Sequence, residues 1–252
     1  VQQKSIYDDA YRGEQRIRRW LRFDIRYRVR RLHELFGALG IDVSRTRVLD
    51  FGFGAGDLLA SFPAGCAVTG AEVSASAVER ARRSRRFSRH ASREFRLIPE
   101  DAPEALPRGP FDIVLSCHAL EHVDDDRRWL QALRERLAPG GSVALFVPIE
   151  APGYNPDHVR VYSLESLRSL VESTGLVIMH AEGSMHLNGH VWKWLTLPSR
   201  RRWPVLGPLV NTLRLVSQAI IPYPLTRRLE RWAERAGLEP RQALVVARAP
   251  DP

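Results

Sequence analysis

The stretch Val48-Leu49-Asp50-Phe51-Gly52-Phe53-Gly54-Ala55-Gly56 decides the fold. A short apolar run of strand character passes into three glycines at alternate positions. Glycine adopts backbone angles closed to other residues, and without a side chain it lets the backbone approach a ligand closely. The spacing tests which ligand suits the turn. A dinucleotide site wants G-x-G-x-x-G/A, with the diphosphate over a helix N-terminus. Counted from Gly52 and Gly54, the third position is Asp57. A carboxylate there repels a diphosphate, whereas an acidic turn suits a cationic ligand.

Outward from this turn, short β-rich runs alternate with helical ones. The strand-like runs are VLDFG (48–52), CAVTGAEV (66–73), REFRLIP (93–99), FDIVLSCH (111–118), PGGSVALFVP (139–148), LVIMHAEG (176–183) and QALVVARA (242–249). Between them, GDLLASF (56–62) opens a helix, and SASAVERARR, DDRRWLQALRERL and SLESLRSLVESTG (163–175) are helical. Ser163 is a natural N-cap and Gly175 a natural terminator. Such alternation predicts an α/β fold: a doubly wound, Rossmann-like, mostly parallel seven-stranded sheet covered on both faces. Ahead of it, Ile17, Leu21, Ile25, Val29, Leu32, Phe36 and Leu39 recur at steps of three and four within 14–39, an amphipathic helix with arginines on its other face. The division expected is an N-terminal helical cap (1–44), a core (45–186), a helical insertion (187–236) and the last core strand (237–252).

The net charge of +9 raises a nucleic-acid partner, so its distribution matters. Residues 1–47 carry a net +6 and residues 187–236 a net +7, leaving the rest at −4. Basic flanks of this kind meet RNA, an anionic membrane or an acidic substrate, or are simply solvated helices. The opening residues VQQKSIYDD have no apolar stretch that would direct secretion, and no apolar run is long enough to span a bilayer, so the reading is cytoplasmic. Two cysteines, Cys66 and Cys117, make no disulfide framework, and the absence of metal-type spacing predicts metal-independent chemistry.

In combination, these motifs resemble the class I S-adenosylmethionine (SAM)-dependent methyltransferases, nearest to ubiquinone-type and natural-product small-molecule enzymes. Asp50-x-Gly52-x-Gly54-x-Gly56 is similar to their first motif. Glu72 closing the second strand, Asp101-Ala102 after the third, FDIVLSCHALEHV and Pro139-Gly140-Gly141 follow in the family's order over roughly 47–180. The resemblance implies SAM as cofactor and S-adenosylhomocysteine as product. It implies that Gly52, Gly54 and Gly56 wrap the methionine part, beside Asp50. Glu72, with Val73 next to it, would accept from both ribose hydroxyls, a task for an acceptor-rich group. Asp101 would accept from the adenine amino group with the Ala102 backbone beside it, and Ser116 and His118 would lie near the sulfonium. Tyr7 and Tyr11 precede the first helix, where the family closes a segment over SAM; each is equally an ordinary packing aromatic.

For catalysis, His118 is the first candidate base, or else a wall of the cofactor pocket. Glu121 and His122 come next, because cyclopropane-forming lipid methyltransferases hold a Glu-His pair at this place; His122 also reads as a helix-start residue. His158, in Asp157-His158-Val159-Arg160-Val161-Tyr162, sits in a run similar to the substrate-facing loop of small-molecule methyltransferases, or is a solvated loop histidine. The insertion, with His186 beside it and His190, Trp192, Trp194, Trp203, Trp232 and an apolar run at 209–221 within it, reads as a substrate lid, a peripheral membrane contact or core packing. O-methylation of an apolar or aromatic small molecule is the leading expectation, with C-methylation behind it. RNA modification and a SAM-binding cyclase are the rivals; SCHALEH in place of an Asn/Asp-Pro-Pro-aromatic motif argues against base-amino methylation.

Overall fold

The computed structural model describes residues 23–187 and 221–250. Helix α1 (Phe23–Ala38) leads into β1 (Arg47–Phe51), β2 (Ala67–Glu72), α2 (Ala75–Arg83), β3 (Ser92–Leu97) and β4 (Phe111–Cys117). Then follow α3 (Asp126–Glu135), β5 (Leu137–Pro148), α4 (Leu164–Ser173), β6 (Val177–Ser184), α5 (Tyr223–Arg235) and β7 (Gln242–Arg248). One seven-stranded sheet runs β3-β2-β1-β4-β5-β7-β6. It is parallel from β3 to β5, and β7 lies antiparallel between β5 and β6. The strand order reverses between β1 and β4, so a crevice opens beyond their carboxyl ends, the usual ligand position in open α/β sheets.

Side chains alternate across a strand, and here both faces are buried. Leu49, Phe51 and Val114 pack with Trp129, Leu130, Leu133, Leu167 and Val171 beneath α3 and α4. Val48, Ile113 and Leu115 pack with Leu32, Phe36, Leu59 and Phe62 on the α1 side. Two helix starts are fixed locally. The Ser74 side chain accepts from Ala77 N–H, and Ser163 and Ser166 form a reciprocal capping box. Gly175, just past α4, takes φ 79°, the left-handed turn that ends a helix.

Two expectations are corrected. The helix expected from GDLLASF is a single 3₁₀ turn, Leu59–Ser61. Pro63 forces the residue before it out of helical angles, and Phe62 is extended at φ −67°, ψ 153°. The arginines of α1 do not all face outward either. Arg31 is buried and binds Glu182 of β6 through two nitrogens, with Glu34 3.0 Å away. Its partner carboxylates draw it inward, and burial opposes its charge while the Glu182 and Glu34 contacts outweigh that and raise its pKa. Residues 14–22 of the expected first helix and most of 187–236 lie outside the described residues. Among the described residues no helix is long and apolar enough to cross a membrane.

His33 joins α1 to the turn before β2. Its Nε2 lies 2.8 Å from Ser61 Oγ, which itself donates to the Leu58 carbonyl, so the ring nitrogen is the donor. Burial holds the His33 pKa below its ordinary 6.5. The folded chain therefore binds fewer protons here than the unfolded one, and the stabilisation is complete above 6.5 and fades as the pH falls through that value. A melting series should show wild type losing stability from about pH 7 to about pH 5. His33→Gln should flatten part of that slope; an unchanged slope would remove His33 as a contributor.

Candidate active site

The three glycines of the turn after β1 all take positive φ: 68° at Gly52, 51° at Gly54 and 70° at Gly56. Space demands glycine as well. A Cβ at Gly52 would stand 2.4 Å from the Ala119 Cβ, and one at Gly56 2.7 Å from the Phe87 ring. Glu72, at the end of β2, ties this turn down. One carboxylate oxygen accepts from Gly54 N–H at 2.7 Å, and the other from Val73 N–H at 2.8 Å and Ser74 N–H at 3.1 Å. A carboxylate offers about four lone-pair directions. Three are therefore engaged, and a bound diol would have to share with or displace a backbone donor.

Asp50 is buried beneath the turn, and its Oδ1 has no hydrogen-bond partner among the described residues. Burial first, then the nearby Glu72 and Asp57 charges, push its carboxyl well above the usual range. Asp57 itself pairs with Arg86 at 2.7 Å. Its charge is thus partly neutralised, and Glu72 carries more of the turn's negative charge than the residue that sequence spacing singled out.

A cleft opens beside Gly52 and Glu72, with Val73, Glu100, His118 and His122 on its walls. Phe51 and Trp129 stack at 4.5 Å to form an apolar side. Asp101, the expected adenine contact, is exposed. Its neighbour Glu100 lines the cleft, with a buried Oε1 that has no partner among the described residues. Sequence reading missed Glu100 because two adjacent carboxylates in a loop carry no period that says which one turns inward. Ser116 is buried with its Oγ unpartnered among the described residues, and Ala102 is half-buried.

His118 leaves β4 in a left-handed conformation, φ 55°, which is uncommon outside glycine. Its backbone N–H bonds the Phe146 carbonyl at 2.8 Å, fixing the turn. Both ring nitrogens face acceptors: Nδ1 is 3.2 Å from Glu121 Oε1, and Nε2 is 3.2 Å from Gln242 Oε1. Gln242 of β7 is oriented in turn by Arg28, whose Nε donates to Oε1 at 2.7 Å, and by Ser184, whose Oγ accepts from Nε2 at 3.0 Å. Glu121 is fully buried. Burial alone would raise its pKa, but the His118 contact, a backbone donor and His122 outweigh that and hold the carboxyl below its ordinary value. Cys117 stays a thiol, since burial pushes it up to about 12.

The loop after β5 closes this side. His122 Nδ1 donates to the Asp157 carbonyl at 3.0 Å, and Val159 N–H donates to the Glu121 carbonyl at 2.9 Å. Burial, helped by His158 and His118, holds the His122 pKa below its ordinary value against the pull of Glu121. His158 Nδ1 contacts Glu150, and its Nε2 lies 2.8 Å from Asn155 Nδ2. Both of its nitrogens are engaged, and it packs edge-on against His122 at 4.8 Å. Arg160 and Tyr162 of the same loop bind Asp126 at the start of α3. The fold thus brings Glu121, His122 and His158 together, with one ligand-type atom from each within 4.8 Å of the others. Tyr7, Tyr11, His190, Trp192, Trp194, Trp203 and all but the end of the 209–221 run lie outside the described residues; His186 is buried, bonding the Leu238 carbonyl.

Residues 16–181, more than half of the chain, match the family model described as a methyltransferase domain. The chain belongs to the class I SAM-dependent methyltransferases. No curated protein sequence matches this methyltransferase at a significant level. Solved structures of the same fold include the [4+2]-cyclase SpnF, at 19% identity and TM-score 0.56, covering 88% of this chain and 81% of that one. A candidate sarcosine dimethylglycine methyltransferase from Galdieria sulphuraria is 18% identical with TM-score 0.60, covering 88% and 85%. Haemonchus contortus phosphoethanolamine N-methyltransferase 2, in complex with SAM, is 20% identical with TM-score 0.53, covering 87% of this chain and 52% of that one. At such identities the likeness is one of fold.

The methyltransferase uses SAM as its cofactor, and the residues of the cleft fit that group. The Glu72 and Glu100 carboxylates line an acidic cradle, and buried beneath it is an Asp50 oxygen unpartnered among the described residues. A cationic nucleoside relieves such a charge concentration, and a diphosphate worsens it. Gly52, packed so closely on Ala119 that a Cβ would clash, brings its backbone to the wall of the cleft.

Proposed function

We propose that the methyltransferase O-methylates a small, apolar or aromatic acceptor, with His118 as general base. The observation that carries this reading is the ring of His118, held at the cleft between a buried carboxylate and a fixed amide oxygen. SAM, when bound, supplies an activated methyl group for in-line displacement. The chain's part is positioning and proton removal. Gly52, Gly54, Asp50 and Glu72 seat the cofactor, with Glu100 and the Asp101-Ala102 segment at the adenine end and Ser116 at the sulfonium end. Glu121 is too buried to reach an acceptor and acts as a positioning residue: its carboxylate, 3.2 Å from His118 Nδ1, favours the protonated ring. The ring that has taken up a proton faces an acceptor at each nitrogen, Glu121 at Nδ1 and Gln242 at Nε2, so both neighbours stabilise the product state. A base so placed contributes about 10²–10⁴-fold.

His122 lines the cleft and braces the loop. His158, held at Nδ1 by Glu150, packs edge-on against His122 and braces it in turn. The apolar Phe51–Trp129 wall supports an apolar acceptor; the segment 187–236 is proposed as its lid and the cytoplasm as the compartment. The test is to count methyl groups transferred from labelled SAM to a panel of phenols, hydroxylated quinones and enols. Label on phenolic oxygen supports the reading; label only on carbon, label on tRNA, or turnover of an acceptor without methyl transfer overturns it.

A further inference from the structure

We infer that Glu121, His122 and His158 form a binding site for one divalent first-row transition-metal ion, of the zinc, cobalt or manganese class. The inference departs from the metal-independent expectation and stands apart from the acceptor's identity. The signal was hidden from sequence because 35 residues of chain separate the adjacent Glu121-His122 pair from His158. The fold closes that gap, bringing one ligand-type atom of each side chain within 4.8 Å of the others. Ligands about 2.0–2.2 Å from an ion stand roughly 3–3.5 Å apart, so closure needs an inward shift on the order of 1 Å.

Three observations go beyond proximity. Glu121 is fully buried, and its Oε2 has no hydrogen-bond partner among the described residues. A buried carboxylate oxygen without a donor is costly, and a cation is what such an oxygen accepts. Second, each histidine gives its Nδ1–H to an outer acceptor, His122 to the Asp157 carbonyl and His158 to the Glu150 carboxylate. That is the support metal-bound histidines have: it fixes the tautomer, presents the Nε2 lone pair and raises its basicity. Third, the Asn155 amide, 2.8 Å from His158 Nε2, donates to it, which marks that nitrogen as the one carrying the lone pair. An ion at that lone pair requires the Asn155 amide, whose Oδ1 accepts from Asp157 N–H at 3.1 Å, to move aside.

Two imidazoles with one carboxylate select a borderline transition ion over magnesium or calcium, which take oxygen ligands. Three protein ligands leave coordination positions open, as at sites where an ion also holds a substrate oxygen. His122 lines the cleft, so those positions adjoin the acceptor space.

The test titrates chelator-treated, tag-free full-length protein with Co²⁺, following visible ligand-field absorption. One ion per chain is expected. Glu150→Gln, which removes the outer carboxylate, should weaken binding about 10–100-fold. His158→Gln should weaken it at least as much, with far-UV circular dichroism confirming the fold. Wild-type protein that binds no Co²⁺, or binds it as His158→Gln does, overturns the inference. Should a variant fail to fold, X-ray absorption of Zn²⁺-loaded wild type decides: two imidazole nitrogens around the ion support the site, and none or one overturns it.

Discussion

Replacing His118 with asparagine is expected to lower turnover by about 10²–10⁴-fold while leaving SAM affinity nearly unchanged. That loss corresponds to about 2.7–5.5 kcal/mol of transition-state stabilisation. Asparagine is the informative substitution because position 118 has φ 55°. Asparagine tolerates that region better than other residues carrying a Cβ, so the backbone turn and its bond to Phe146 should survive. Alanine would mix lost basicity with backbone strain. Steady-state kinetics give kcat and KM, and calorimetry gives cofactor affinity. Full activity in His118→Asn would remove the general base from the account. A loss confined to SAM affinity would recast His118 as a pocket wall.

Glu72→Ala should weaken SAM binding at least tenfold, about 1.4 kcal/mol or more. The hydrogen bonds on this carboxylate make a larger loss the expected one. Alanine removes the acceptor for the Gly54, Val73 and Ser74 N–H groups together with any contact to the ribose. Hydrogen bonds to a charged group are worth about 1.5–3 kcal/mol each, so the glycine turn loosens before a ligand arrives. The cofactor-free protein should melt lower, and the further rise in melting temperature on adding SAM should shrink. Glu72→Gln keeps one acceptor oxygen and should fall between the two. Unchanged affinity in Glu72→Ala would remove the ribose assignment.

Much of this architecture was legible because it is written in local patterns. Val48-Leu49 sends adjacent side chains to opposite faces, Ser163 caps α4, and Gly52, Gly54 and Gly56 announce a turn that only glycine can make. What escaped depends on residues far apart in the chain. Arg31 turns inward because Glu182 waits on β6, and Asp57 loses its repulsive role because Arg86 pairs with it. Gln242, which faces the His118 ring and is held by Arg28, lies 124 residues from its histidine. No period or spacing rule marks such partners. The 56–62 segment failed for a local reason: its apolar residues suggested a helix, but Pro63 allowed only one turn.

The measurement closest to the central claim is a crystal structure of the chain with S-adenosylhomocysteine. The account expects the nucleoside in the crevice between β1 and β4, its ribose hydroxyls at Glu72 and its amino-acid end against Gly52 and Asp50. A nucleoside seated elsewhere, with Glu72 still bound only to its own backbone donors, would contradict it.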